Sequence, residues 1–512
     1  MWRSMATIGG MTMLSRLSGF ARDVLMASLL GAGPVADAFF VAFKLPNFFR
    51  RLFAEGAFNA AFVPLFARLY AAKGLREATQ AAEQILAALF CVLMLLTLVF
   101  ESQLPLILSA IAPGFHRTPE RYQLALEYTQ ITFPYLMLIS VSALFAGILN
   151  SLDRFAAASA APILLNLCMI GALTFGGAWF ATPGHSLSWA VLIAGALQCV
   201  WMWGSASRAG AHVRLIWPRY TPAVQQLVRV MLPGAFGAGV VQVNLLIDTI
   251  LASFLPTGSV SFLFYADRLN QLPLSVIGIA ISTALLPQLS RHLQKGDQEK
   301  ASHAQNRALE LSMMLTLPAT VGLVFLAHPI IAALFQRGAF GAYEVAETAK
   351  VLAAFAFGLP AYVLVKVFST SFFATYDTKT PVKAALVGLA VNFVLNLILL
   401  QSLRHVGIAL ATAIAAWVNA GLLAYGLKRR QMFHRDEMFK MRFPGIVMAT
   451  LVMAAVLSGI QMMELSPFPS GQLWRFAQLF LTITAAAAAY GAGLMILKVI
   501  EVRQLTRFFV WR

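Results

Sequence analysis

Long apolar stretches separated by short polar loops run through the whole chain. They fall near 7–31, 34–71, 79–111, 122–150, 157–181, 187–207, 223–255, 260–292, 303–327, 344–374, 381–401, 406–427, 443–463 and 472–498. A helix needs about 20 apolar residues to cross a bilayer. Several stretches are longer than that, so they are expected to tilt, kink or extend beyond the hydrocarbon. No intervening loop is long enough to fold as a soluble domain. The pattern predicts an all-α polytopic membrane protein with about fourteen transmembrane helices.

The loops differ in charge. One side collects Lys73, Arg76, Arg154, Arg208, Arg214, Arg219, Arg291, Lys295, Lys300, Lys379, Lys428, Arg429, Arg430, Arg435, Lys440, Arg503 and Arg507. The other carries Arg117, Arg121, Arg337, Arg404 and little else. Cationic loops stay in the cytoplasm, so both ends of the chain are expected there.

The chain also repeats itself. Asp23–Gly33 matches Asp248–Gly258 at an offset of 225, Pro64 and Arg68 match Pro287 and Arg291 at 223, and Pro134 and Asn166 match Pro360 and Asn392 at 226. Each copy holds six spans, an even number, so the two copies share one topology and relate by an axis along the membrane normal. The expected divisions are 1–220 for spans 1–6, 221–430 for spans 7–12, and 431–512 for two spans outside both repeats. Two such lobes suit a transporter that rocks around a central site. No channel-type filter is visible.

Composition agrees with a bilayer as solvent. The 512 residues are 59% hydrophobic and 12% charged, against about 25% charged in soluble domains. The net charge of +17 lies mostly between spans rather than in a basic soluble region, so it reads as contact with anionic lipid and not with nucleic acid. Cys91, Cys168 and Cys199 each sit inside an apolar run and form no metal pattern. His185, His212, His292, His303, His405 and His434 lie in or near loops and read as solvated. There is no phosphate-binding glycine loop, no HExxH and no nucleophile elbow, so the reading is a non-enzyme that does not itself hydrolyse ATP.

Charges inside spans are costly and therefore informative. Arg16, Arg22 and Asp23 lie in span 1; Asp37, Lys44, Arg50, Arg51 and Glu55 in span 2; Asp267 and Arg268 in span 8; Lys366 in span 10. Arg51 and Glu55 have the i,i+4 spacing of an internal pair. Arg22 and Asp23 diverge by about 100° on a helix, and Arg16, Arg22 and Arg268 have no acidic residue four positions away. Guanidinium groups at membrane depth point to an anionic guest, and their planar fork suits phosphate. Pro46 and Gly56 interrupt span 2 among its cations. A helix broken there would free backbone groups for a ligand and act as a hinge. Asp37, Asp248 and Asp267 are the carboxylates available to a coupling cation; no other cofactor is expected.

The runs Met11–Asp23 and Asp37–Phe58, with Tyr265-Ala-Asp-Arg-Leu269 and Asp377-Thr-Lys-Thr-Pro-Val382, resemble the MurJ (MviN) lipid II flippases along the whole chain. The resemblance implies the fold of the multidrug/oligosaccharidyl-lipid/polysaccharide exporter superfamily: two six-helix lobes around a cationic cavity, plus two final helices forming a groove for the lipid tail. It implies transfer of an undecaprenyl-diphosphate-linked muropeptide to the periplasmic leaflet of the bacterial inner membrane. A monomer is expected. The family's essential arginines fall on Arg16, Arg22, Arg50 and Arg268, and its span-2 aspartate on Asp37. Some members carry a glutamate shortly after the span-8 arginine, where this chain has Gln271. The rival readings are a flippase for another lipid-linked glycan, a cation-coupled multidrug antiporter of the same fold, and a membrane receptor or assembly scaffold without transport, which would not require arginines embedded in spans. The antiporter would want an acidic cavity, and this one reads basic.

Overall fold

A computed structural model describes residues 2–51, 58–295, 297–433, 436–462 and 471–500. These residues are helical nearly throughout. The chain divides into two compact units, Met1–Ser261 with Arg337–Phe340, and Phe262–Gln336 with Gly341–Arg512. The first holds α1 (Trp2–Leu30), α2 (Pro34–Phe49), α3 (Phe58–Ser102), α4 (Leu104–Ile111), α5 (Pro119–Thr132), α6 (Tyr135–Ser151), α7 (Phe155–Phe175), α8 (Pro183–Arg208) and α9 (Pro222–Ser253). α10 (Ser259–Gln294) starts in the first unit and continues in the second. The second also holds α11 (Gln298–Phe325), α12 (Ala327–Phe335), α13 (Ala342–Phe357), α14 (Leu359–Ala374), α15 (Lys379–Arg429), α16 (Glu437–Met462) and α17 (Gln472–Ile496).

Local chemistry sets the starts and breaks. Proline occupies the first turn of α2, α5, α8 and α9, where its missing N–H costs nothing. The hydroxyls of Thr182 and Thr221 accept from the backbone N–H of His185 and Val224 to cap α8 and α9. Gly74, at φ 82°, breaks α3. Arg404, at φ 50° and ψ −129°, breaks α15. The second break is a reversal: Asn392 Nδ2 donates to Thr412 Oγ1 at 3.1 Å across it, although twenty residues of straight helix would separate the two by about 30 Å. The turn lies between the stretches 381–401 and 406–427 expected as separate spans.

Ten helical segments among the described residues are long and apolar enough to cross a membrane. With one of them reversed at Arg404, and with the charged helices α1, α2 and α9 outside that set, the architecture is compatible with fourteen passes. α3 turns Val92, Leu95, Leu98 and Val99 outward, all about half exposed or more. An apolar stripe of that length does not face water in a stable protein; it faces lipid.

In the first unit α1 packs on α7, α7 on α8, α2 on α5, and α3 on both α6 and α9. Its main core gathers Phe58, Phe62, Phe66, Ile85, Phe145 and Leu227. In the second unit α14 packs on α15, and α11 on α14 and α16, around Ile281, Leu285, Val363, Phe368 and Phe372. α16 and α17 pair with one another. The N-terminal end of α16 is held to α11 by ions: Arg307 donates to both oxygens of Asp436 at 2.9 and 3.1 Å, and Arg442 to Glu310 at 2.9 Å.

Candidate functional site

The cations of α1 occupy two different environments. Arg16 is exposed on the helix surface. Arg22 is 6% exposed and its donors are engaged. Nε and Nη2 donate to Asp23 Oδ1 at 3.0 and 2.7 Å, and Nη1 donates to Asn166 Oδ1 at 2.9 Å. Asn166 in turn donates to Ser15 O and Ser18 Oγ, both at 3.0 Å. The expectation that Arg22 lacks a partner and diverges from Asp23 is therefore corrected. The 100° rule describes Cα–Cβ directions, and the long arginine stem folds its guanidinium back over the adjacent carboxylate. Asn166 then holds the fork in place.

Asp37 is fully buried in the first turn of α2. Its Oδ1 accepts from Ser261 N at 2.9 Å and Ser261 Oγ at 2.6 Å; its Oδ2 accepts from Gly258 N at 2.8 Å and Arg121 Nη1 at 3.3 Å. A carboxylate on one helix thus caps the N-terminus of another, α10, where free N–H groups and the helix dipole favour negative charge. Arg121 also donates to Ser253 O at 2.8 Å and lies 4.1 Å over the Phe115 ring. Ser253 Oγ accepts from Gly114 N at 3.0 Å. A Cβ at Gly114 would lie 2.2 Å from the Ser253 carbonyl oxygen, so only glycine fits. This knot corrects two expectations. Asp37 lines no accessible surface for a head group or cation, because its four donors come from the protein. Arg121 is 2% exposed rather than a loop cation. Its signal was present: residues 121, 125, 128, 129 and 132 form one buried stripe at helical spacing, and a count of loop charges overlooks it.

Beyond Asp37, α2 runs unbroken through Pro46. Proline at 46 deprives the Ala42 carbonyl of its helical donor; Thr132 Oγ1 lies 3.4 Å from that oxygen. Asn47 Nδ2 donates to Phe43 O at 2.8 Å, and Arg50 Nε donates to Asn47 Oδ1 at 3.0 Å. The departure from α-helix comes at Arg50 and Arg51, as a π-type turn. The expected break at Pro46 is thus displaced by one turn. Lys44 donates to Thr249 Oγ1 of α9 at 2.6 Å. Arg51 is exposed. Glu55 and Gly56, the other end of the expected interruption, lie outside the described residues.

The second unit holds the remaining candidates. Arg268 lies 4.8 Å over the Phe264 ring. Asp267 Oδ2 accepts from Gln271 Nε2. An amide at position 271 supplies a donor that an ionised glutamate could not, so the departure from the family pattern coincides with a hydrogen bond to the neighbouring carboxylate. Lys366 of α14 packs against Gly278 of α10, where a Cβ would meet its Cδ at 3.0 Å. His405, expected to be solvated, is buried: its Nε2 is 3.0 Å from Glu347 Oε2, and its ring packs 5.1 Å from Phe262. The helix restarts immediately after Arg404 and carries the imidazole inward. Among the described residues, no three His, Cys, Asp or Glu side chains converge as a metal site.

Comparison with known proteins gives this geometry its context. A family profile described as lipid II flippase MurJ matches residues 26–475. A probable lipid II flippase MurJ of Rhizobium meliloti (strain 1021) is 46% identical over 461 residues, covering 89% of this chain and 86% of that one. A lipid II flippase MurJ of Burkholderia cenocepacia is 35% identical over 462 residues, covering 89% of each. Among solved structures, lipid II flippase MurJ in an inward closed conformation superposes with a TM-score of 0.78 at 26% identity, covering 95% of this chain and 99% of that one. An inward-facing multidrug transporter of the MATE family gives 0.67 at 16% identity over 83% of this chain and 97% of that one, a likeness of fold alone. The protein is a multi-pass bacterial inner-membrane protein, and the chain belongs to the MurJ lipid II flippase family.

Proposed function

We propose that this chain is a lipid II flippase, carrying the diphosphate-linked head group from the cytoplasmic to the periplasmic leaflet by alternating access. Membership of the family carries the reading. The charge pattern supports it: a diphosphate needs cations away from bulk water, and Arg16, Arg22, Arg50 and Arg268 supply guanidinium forks on span helices. Arg16 is the exposed fork; Arg22 is braced by Asp23 and Asn166 and would meet phosphate in a fixed orientation. Asp37, Arg121 and Ser261 support a role as a seal on the periplasmic side, one that must loosen for the head group to leave. Both termini are cytoplasmic in this reading, the protein acts as a monomer, it is not an enzyme, and no cofactor takes part. The lipid tail stays in the bilayer beside α16 and α17.

The test is replacement of Arg16, Arg22 or Arg268 by Ala and by Lys in a strain depleted of its own flippase. Alanine should abolish growth rescue at normal protein level, with lipid II trapped in the cytoplasmic leaflet. Lysine should rescue partly, since it keeps charge but loses the fork. Full rescue by all three alanine variants would remove these residues from the site.

A further inference from the structure

Residues Ala209–Thr221 join α8 to α9 within the first unit, as a turn at Ala209 and Gly210 followed by a segment that is neither helix nor strand. One edge of it is fixed to protein. Ala211 and Val213 are buried in the core formed with Phe66, Ala78 and Ala82, and Arg214 N donates to Glu83 Oε1 at 3.0 Å. The start of α9 is tied to the part of α3 before its break at Gly74 by Arg68 Nη2, which donates to Gln226 Oε1 at 2.8 Å. The other edge has no protein cover: Leu215 is 59% exposed, Trp217 84% and Tyr220 76%. Isolated exposed apolar residues are ordinary. Three within six residues, two of them amphipathic aromatics, interleaved with Arg214 and Arg219, are the composition that partitions to a membrane interface.

Two further observations select the surface. The first is position. α8 and α9 both enter the bilayer, so the ends of this short segment are held at one face of it. Trp201 and Trp203, 44% and 51% exposed, lie in the last two turns of α8 at the depth of an aromatic belt. The linker begins six to eight residues later, about 9–12 Å further along the axis at 1.5 Å per residue, which is head-group depth. The second is charge. From Arg154 to Ile247 the chain contains no acidic residue and five arginines, at 154, 208, 214, 219 and 229. A stretch with no carboxylate of its own, and with Glu83 of α3 bonded to the backbone on its protein-facing edge, is complementary to anionic lipid head groups.

We propose that the linker Ala209–Thr221 is an interfacial anchor that inserts Leu215, Trp217 and Tyr220 among anionic phospholipid head groups. Its assignment to the cytoplasmic leaflet rests on the orientation given above; the lipid contact itself does not. Held on one edge by protein and on the other by lipid, the segment fixes the height of the first turn of α9 relative to the membrane surface.

The experiment uses the full chain with Cys91, Cys168 and Cys199 replaced by Ala and Trp217→Cys labelled with an environment-sensitive fluorophore. The protein is placed in nanodiscs of phosphatidylglycerol with phosphatidylethanolamine, or of phosphatidylcholine alone. In the anionic discs the label should be shielded from iodide and quenched by lipids spin-labelled near the head group. Arg214→Gln and Arg219→Gln should each lower the ratio of embedded to water-exposed label about fivefold, as should phosphatidylcholine. A label open to iodide in anionic discs would overturn the proposal. Embedding that ignores both lipid charge and the arginine changes would overturn the anionic assignment. A label at Gly74, on another loop of the same expected face, serves as a control for general shielding by the disc. A reporter fusion that placed the N-terminus in the periplasm would reverse the leaflet while leaving the disc result unchanged, so the two readings fail separately.

Discussion

At the scale of single residues, buried cations can serve to hold the protein together. Arg121 is the clearest of these, 2% exposed with its guanidinium shared between Asp37, Ser253 and the Phe115 ring. Removing Asp37 leaves a buried charge and three uncapped donors around Gly258 and Ser261. The expected loss for Asp37→Ala is about 3–5 kcal/mol, read as a lower midpoint in thermal unfolding of the detergent-solubilised protein. Replacing both partners, as Asp37→Ala with Arg121→Met, should cost less than Asp37→Ala alone, because no charge is then stranded. A single variant as stable as the parent would show that the knot is not under load. None of this was legible from span charges alone. Asp37 stood out correctly as an embedded carboxylate, but its partners lie 84 and 224 positions away.

At the scale of elements, α15 shows how a helix hairpin is closed. Asp377 Oδ1 accepts from the backbone N–H of Lys379 and Thr380, each at 3.0 Å, capping the start of the helix. Its Oδ2 accepts from Thr380 Oγ1 at 2.6 Å and pairs with Arg430 Nη1 at 2.6 Å. Arg430 caps the far end of α15, so one carboxylate clamps both ends of the hairpin at the loop. The Thr380 hydroxyl, with the backbone and Arg430 adding to it against partial burial, holds the carboxyl at about 2, below its ordinary 3.8. A depressed carboxylate contributes stability that is complete above the unfolded value and is lost as pH falls through the folded one. Asp377→Asn should therefore lower the thermal midpoint by a constant amount from pH 5 to 8. The difference should shrink between about pH 4 and pH 2. A difference that persisted undiminished at the acid end would exclude the carboxylate charge as its source. The motif Asp377–Val382 was visible in the chain as part of a resemblance; the clamp to Arg430 required the turn at Arg404.

For the whole molecule, the question is what drives a cationic protein to move an anionic head group outward. An inside-negative potential favours outward transfer of negative charge by about 2.3 kcal/mol per charge per 100 mV. It also draws unoccupied cationic helices back toward the cytoplasm. The potential can then bias the cycle without ATP. Collapsing the potential should stop the head group from becoming accessible at the periplasmic face of spheroplasts, whereas dissipating the proton gradient alone should not. Transfer that persisted at zero potential would make the arginines a binding device only and move the energy source to an ion gradient or to consumption of the lipid.

The sequence by itself determined the solvent, the helices and the inventory of embedded charges. Hydropathy is a local property, and a run of twenty apolar residues answers to the bilayer whatever its neighbours do. The repeat near offset 225, the arginines of α1 and the cationic loops were legible for the same reason. Tertiary structure decided what each charge does. Arg22 is braced by Asn166 from 144 positions away, Asp37 caps a helix that begins at Ser259, and His405 is drawn inward against Glu347 and Phe262. An embedded charge takes its partner from whichever helix packs beside it, and that adjacency exists only once the chain has folded.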